Sequence, residues 1–390
     1  MLVDRAASGR NNFQLIRLVL AVAVLYFHSF DLLAADHTDP VLDLIPPATH
    51  LGRIALCFFM VISGFLVTHS WLHSAGWQDF LTRRVLRVHP AFIVASAISA
   101  FVVAPYGSRA AVEYLESLDL FGFAWNALLL GKLEIPPSFL SNPYPGQVNG
   151  SLWSIRIEFE CYLGLMVLGL LGILRRRFEA MAIFVLLLVL HAVQGYVPSS
   201  LDRFAHHLQL ATFFMGGVVF YLYADRIPRT YGWLEVAGLV VLATSILEIG
   251  YIELLPIVGT YLLLYLAYEP RLIHLDLGRY GLAWMRPSLR VDLSYGIYLY
   301  AWPVQQLIVQ AAGPWLNPWT LSLAALAGSG SLAWLSWTLI ERPALMYKRR
   351  ISRPAGAPAD ASASPTAIPA TPAPPAERPP EAPPGPPATR

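Results

Sequence analysis

"FQLIRLVLAVAVLYFHSF", residues 13–30, is the stretch that decides the fold. It lies in an apolar run extending to about residue 35. Some 20 residues at 1.5 Å each cross a bilayer core about 30 Å thick. The run nevertheless holds Arg17 and His28. Ionisable groups at membrane depth are costly and mark function by default. Eleven positions apart, the two lie about 16 Å along a helix and within about 20° of one face. Both can therefore line one channel, with Arg17 near the cytoplasmic end and His28 midway or beyond. The plain alternative is a snorkelling arginine and a hydrogen-bonded packing histidine.

Nine further runs read the same way, near 54–73, 88–105, 151–174, 180–197, 207–224, 231–250, 252–268, 292–313 and 318–341. The chain has 390 residues, of which 56% are hydrophobic and 13% charged. A soluble domain carries roughly 25% charged residues, so the reading is an all-α, polytopic membrane protein of about ten transmembrane helices. Repeated long apolar runs exclude a β-barrel. Segment 120–131 is too short to span and reads as an interfacial or re-entrant piece within the loop 106–150. With the N-terminus in the cytoplasm, Arg83, Arg84, Arg87, Arg175, Arg176, Arg177, Arg226, Arg229, Arg271, Arg279, Arg286 and Arg290 all fall on that side. Only Arg53, Arg109, Lys132 and Arg203 fall opposite. This asymmetry predicts both termini inside.

No cleavable leader is expected, because the first run is full length with no small-residue cleavage site after it. Residues 1–350 form the membrane domain. Residues 351–390 are Pro/Ala-rich and read as a disordered cytoplasmic tail. The net charge of +2 implies no nucleic-acid partner. Cys57 and Cys161 lie in apolar runs and read as free buried thiols. No metal-ligand spacing is present, and no metal or tightly bound cofactor is expected. His69 and His73 share a helix face without an acidic third ligand; His206 and His207 are adjacent and point to different faces.

Three more constellations carry ionisable or aromatic groups at depth. In "RRVLRVHP", residues 83–90, Arg83, Arg84 and Arg87 make one basic face at i,i+3 and i,i+4 before Pro90. Such a face suits a phosphorylated ligand, or else plain topology and lipid headgroups. In "NGSLWSIRIEFECYLG", residues 149–164, Arg156 and Glu160 can pair. Glu158 shares a different face with Ser154 and Tyr162, so it needs a partner on another helix. In "SYGIYLYAWPVQQ", residues 294–306, Tyr295, Tyr298 and Trp302 share a face. That face is either interhelical packing or the wall of a sugar or acyl pocket.

A deep imidazole can relay protons for a transporter, ligate a metal or act as a general base. Companion ligands for a metal are lacking. A proton-coupled exporter of a glycan or lipid intermediate stays open, although no internal repeat is seen. A base fits a basic entrance for a phosphate-rich donor, and no nucleophile elbow suggests an acyl-enzyme.

Six elements in order then resemble the acyltransferase 3 family of integral-membrane O-acyltransferases over residues 11 to about 347. They are Arg17 and His28 with ten residues between; "CFFMVISGFL" at 57–66; "RRVLRVHP"; "SLWSIRIEFECYL"; "SYGIYLY" with the following Trp302–Pro303; and "IERP" at 340–343. The resemblance implies acyl transfer from a cytoplasmic acyl-CoA, usually acetyl-CoA, to a hydroxyl of a cell-envelope glycan. Such glycans include lipopolysaccharide O-antigen, exopolysaccharide and lipid-linked forms, and the setting is the bacterial inner membrane. His28 matches the catalytic histidine and Arg17 its partner. Arg83, Arg84 and Arg87 match the donor-binding motif, and Glu158 the membrane carboxylate. Trp153, Tyr162, Tyr295, Tyr298 and Trp302 are expected to line the substrate site. Where many members carry a second histidine this chain has Ala301, which leaves His28 as the candidate base. The resulting picture has donor phosphates on Arg83, Arg84 and Arg87 and the thioester arm passing Arg17. Glu158 orients the His28 ring or shapes acceptor binding.

Overall fold

The computed structural model describes residues 11–33, 50–108, 110–194, 204–247, 250–269 and 291–351. Among them every regular element is helical. The long helices are α1 (Phe13–Leu33), α2 (Leu51–Leu72), α3 (Trp77–Gly107), α6 (Trp153–Leu170), α7 (Arg177–Gln194), α8 (Ala205–Leu222), α9 (Tyr231–Leu247), α10 (Tyr251–Ala267), α11 (Ser294–Ala312) and α12 (Pro318–Tyr347). Two short helices, α4 (Ala111–Glu116) and α5 (Leu120–Leu128), stand between α3 and α6. Each predicted apolar run coincides with one long helix. By length and composition α1, α2, α3, α7 and α12 suffice to cross a membrane, and α9 and α10 are shorter apolar helices. The predicted tail and the arginines from Arg271 to Arg290 lie outside the described residues.

One boundary differs from expectation. The span predicted at 88–105 starts at Trp77, so Arg83, Arg84 and Arg87 lie within α3 rather than before it. Hydropathy misses this opening because its residues are polar. They are held helical by an i,i+4 ion pair between Arg83 and Asp79, 2.7 Å apart. Pro90, expected to open or kink the next span, lies inside the helix and does not open it.

Burial sorts the helices. α8 and α11 bury positions all round, including Phe213, Phe214 and Val218 of the first and Leu299, Tyr300 and Trp302 of the second. α7 and α9 bury little more than Ala180, Phe184 and Ala237. Their outward Leu186, Val189, Leu239 and Leu242 are exposed. An apolar helix left uncovered on most of its faces belongs against lipid. The close approach of α2 and α8 rests on glycines. A Cβ on Gly64 would overlap the Phe214 carbonyl oxygen, and one on Gly217 would overlap the Val61 carbonyl oxygen. Small residues let backbones meet where no hydrophobic effect pulls them together. At the start of α1 the backbone N–H of Asn12 donates to the Ala267 carbonyl at 2.7 Å. Its side chain donates to Leu266 and Glu269 carbonyls, fastening α1 to the end of α10.

The segment from α5 to α6 has little regular structure yet is firmly held. Phe139 is fully buried with a left-handed φ of 58°, and its N–H donates to Gly107 at 2.8 Å. Gln306 of α11 donates to the Tyr144 and Gln147 carbonyls at 2.9 and 2.8 Å and accepts from Asn142 at 2.7 Å. Asn149 donates to the Leu299 carbonyl at 3.0 Å. These bonds set residues 142–152 against α11 and carry Ser151 into the bundle.

Gly64→Val and Gly217→Val should each overpack the α2–α8 crossing, at about 1–3 kcal/mol or more. The thermal midpoint in detergent should drop for both. It should not drop for Gly232→Val on α9, where a Cβ meets nothing within 4 Å. Equal midpoints for all three would remove the crossing from the account.

Candidate active site

The one-face reading of α1 holds: Arg17 and His28 both turn toward α11. Their surroundings differ. Arg17 donates to Asp292 Oδ2 at 2.9 Å, just before α11. The same oxygen accepts from Arg87 of α3 at 2.5 Å. Arg87 also reaches Glu341 of α12 at 3.4 Å. Asp292 and Glu341 are both buried. Ser294 donates to the other Asp292 oxygen, and Ser336 to Glu341 at 3.3 Å. Glu341 closes a π-helical turn, Trp337–Glu341, inside α12. Four helices thus meet in one network of two cations and two anions. Tyr295 belongs here too. Its hydroxyl donates to the Val88 carbonyl at 2.9 Å, and Arg87 lies 5.7 Å from its ring centre.

The three arginines of "RRVLRVHP" therefore do not share one environment. Arg83 pairs with Asp79 on its own helix, and Arg87 pairs with Asp292 and Glu341. Arg84 packs between the Phe80 and Tyr162 rings, 5.8 Å from each centre, and donates to Ser70 at 3.1 Å. No carboxylate stands within ion-pair distance of it among the described residues. Glu158 does find its partner on another helix: it accepts hydrogen bonds from Ser63 of α2 and from Tyr162. Glu158 makes no hydrogen bond to His28.

His28 sits higher in the bundle. Its Nε2 is 3.5 Å from Ser151 Oγ, and its ring meets the Trp302 ring edge to face at 4.7 Å. Its Nδ1 is buried with no hydrogen-bond partner. Trp302 is fixed by its indole N–H to the Gln147 carbonyl at 3.3 Å, and by Tyr144 at 5.3 Å. Tyr298 donates to the Ser151 carbonyl at 2.9 Å and bonds Ser154 at 2.5 Å. An imidazole held by packing, with one ring nitrogen at a small hydroxyl, has the geometry in which a proton can pass between that nitrogen and an alcohol. Arg156 pairs with Glu160 at 2.9 Å on an exposed face, as expected. Trp153 is not in this cluster. It is exposed and stacks near His206 at 5.2 Å.

Sequence reading missed Asp292, Glu341 and Ser151. Glu341 lies in a motif noticed only as a pattern, and its depth inside an apolar run was the available signal. Ser151 opens the "SLWS" element, where the flanking residues drew attention. Nothing local distinguishes Asp292.

An imidazole, hydroxyls and compensated charges held inside a bundle of apolar helices are the makings of a membrane-embedded enzyme site. The chain belongs to the acyltransferase 3 family: the family described as an acyltransferase domain matches residues 10–341. Two curated relatives span nearly their full lengths. Nodulation protein 10 of Rhizobium leguminosarum bv. viciae is 29% identical over 374 residues, covering 88% of this chain and 96% of that protein. The O-acetyl transferase of Shigella phage Sf6 is 26% identical over 338 residues, covering 85% and 95%. No solved structure matches the chain.

Removing one member of a buried ion pair strands the other and costs about 3–5 kcal/mol. Asp292→Asn, which strands Arg17 and leaves Arg87 only Glu341 at 3.4 Å, should therefore lower the thermal midpoint sharply. Asp79→Asn at the more exposed Arg83 pair should cost under about 1 kcal/mol. Equal shifts in a detergent melt would show that the network does not hold the four helices.

Proposed function

We propose that the protein is an O-acyltransferase of the bacterial inner membrane. It moves an acyl group, acetyl in the simplest case, from acyl-CoA to a hydroxyl of a cell-surface or lipid-linked glycan. Ten crossings with both termini in the cytoplasm would put the Arg17 end of the bundle on the donor's side. The observation that carries the reading is His28, half-buried with Nε2 at Ser151 Oγ and its ring against Trp302. The name of the phage relative, an O-acetyl transferase, supports the same chemistry.

In this reading the acceptor hydroxyl takes a place beside Nε2, near Ser151. His28 accepts its proton as the oxygen attacks the thioester carbonyl. The carbon–sulfur bond then breaks, and the proton passes to the departing thiolate. Neutral imidazole suits the task, because a base must enter the step unprotonated. Arg84 is the member of the basic set best suited to a donor phosphate, since Arg17 and Arg87 already face carboxylates. Those two shape the passage while their own charges stay compensated. Glu158, bonded to Tyr162 beside Arg84, acts on the donor's route and not on the His28 ring. Tyr298 and Trp302 hold the walls around the imidazole.

His28→Ala should lower acyl transfer by about 10²–10⁴-fold, the span typical of a lost general base, with the thermal midpoint kept. The check is acylation of the producing cell's surface glycan by mass spectrometry, at matched protein level. Transfer at the wild-type rate would overturn the assignment. Arg84→Ala should raise the KM for acyl-CoA and leave that for the glycan unmoved; an unchanged donor KM would return Arg84 to packing.

A further inference from the structure

Two grooves open at the His28 end of the bundle, and nothing in the reaction above uses them. The first, about 590 Å³, lies among the end of α1 at Leu33, residues 141–143, the end of α11 and the start of α12. The second, about 520 Å³, lies between α4 and residues 136–141. Both volumes fall in the range of small-ligand sites, roughly 300–1,000 Å³. Ser141 and Gln310 line both, and Ser141 Oγ donates to Gln310 Oε1 at 3.3 Å. The two grooves adjoin as the arms of a cleft whose bend is marked by this hydrogen-bonded pair.

Its lining is chemically specific. Apart from Glu113 the polar members are hydroxyls and carboxamides: Ser141, Asn142, Gln310 and Asn317 in the first arm, with Ser108, Tyr114 and Ser117 added in the second. Among the described residues no arginine or lysine lines either arm, and Glu113 lines the second. Proline rings at positions 136, 137, 143 and 318 supply flat apolar patches between the polar groups. Tyr114 points to a missing ligand. It is 4% exposed, and its hydroxyl is buried with no hydrogen-bond partner. A buried polar group left unpaired calls for an explanation. Burial pushes that phenol up to about 12, so it stands as a neutral donor.

The cleft also points inward. Gln310, Gln306 and Trp302 follow one another at four-residue steps on one face of α11. Gln310 lines the cleft, Gln306 holds the Asn142 segment, and Trp302 touches His28. Gln310 and Trp302 are about 12 Å apart along the helix axis.

We propose that this cleft is a carbohydrate subsite, holding neutral sugar units remote from the hydroxyl that is acylated. Neutral hydroxyl and amide groups alternating with flat apolar patches match a pyranose, which has polar edges and C–H faces. Tyr114 donates to a ring or hydroxyl oxygen, and Gln310 bonds a sugar hydroxyl at the bend. The catalytic consequence rests on the transfer reading above. Binding energy from remote sugars would position the reacting one at His28.

The test uses the full chain in lipid nanodiscs and oligosaccharides, short and long, released from the producing cell's surface polysaccharide and stripped of acyl groups with mild base. Tyr114→Phe and Gln310→Ala should each weaken binding of the long oligosaccharides about fivefold, the worth of one hydrogen bond. Gln310→Trp, which fills the bend, should abolish it. The shortest acceptors and the donor KM should be unaffected, and His28→Ala should bind long oligosaccharides as the wild type does. No binding to wild type, or undiminished binding to Gln310→Trp, overturns the subsite. If the variants lose binding but wild type never transfers an acyl group, the subsite stands and the transferase reading falls. Transfer to long acceptors at unchanged KM in all three variants sinks the subsite alone.

Discussion

Charge compensation inside the bundle is the constraint on which the structure depends. Asp292 Oδ2 accepts from two guanidinium groups that arrive from α1 and α3, and Glu341 meets the second of them from α12. In a low-dielectric interior each of these four charges is tolerable only with its partners in place. The network therefore fixes more than stability. It sets where four helices sit relative to one another, and hence where α1 presents His28 about 16 Å further along. A π-helical turn in α12 brings Glu341 to its place, a local irregularity of the kind often found at functional positions.

α11 is the element that joins the chemistry of the two ends. From its start at Ser294, just after Asp292, it carries Tyr295 to Arg87, Tyr298 to Ser151 and Ser154, Trp302 to His28, and Gln306 to the segment before α6. Gln305 donates to the Leu25 carbonyl and Ser29 of α1 at 2.8 and 2.7 Å. A helix so rich in polar contacts is stable in a bundle core because nearly every such group is answered. The same property explains why its hydropathy is modest although its burial is among the highest in the molecule.

Much of this was legible in the sequence because it is local. Ten apolar runs gave ten long helices. The eleven-residue spacing of Arg17 and His28 put both toward one neighbour, and the i,i+4 spacing of Arg156 and Glu160 gave an ion pair. The rest was not local. Arg17 is 275 positions from Asp292, and Arg87 is 254 from Glu341, so no spacing rule links them. The basic run of α3 looked like one face because helical geometry makes it one. Its three side chains then part ways according to which carboxylates other helices bring near. Trp153 and Trp302 sit in comparable motifs, yet the first is exposed and the second is packed on His28. Motif membership did not separate them; tertiary placement did.

The segment between α5 and α6 is attached in an unusual way. Gln306, Asn149 and Trp302 hold it through main-chain carbonyls, those of Tyr144, Gln147 and Leu299. A carbonyl is the same whichever residue bears it. A position such as 147 can therefore change side chain while the strap keeps its course over His28, whereas Tyr144 also packs its ring on Trp302. An architecture of that kind separates what varies from what must not. The rim that meets the outside world can be rewritten by point substitution, while the imidazole, its serine and the charge network beneath keep their coordinates.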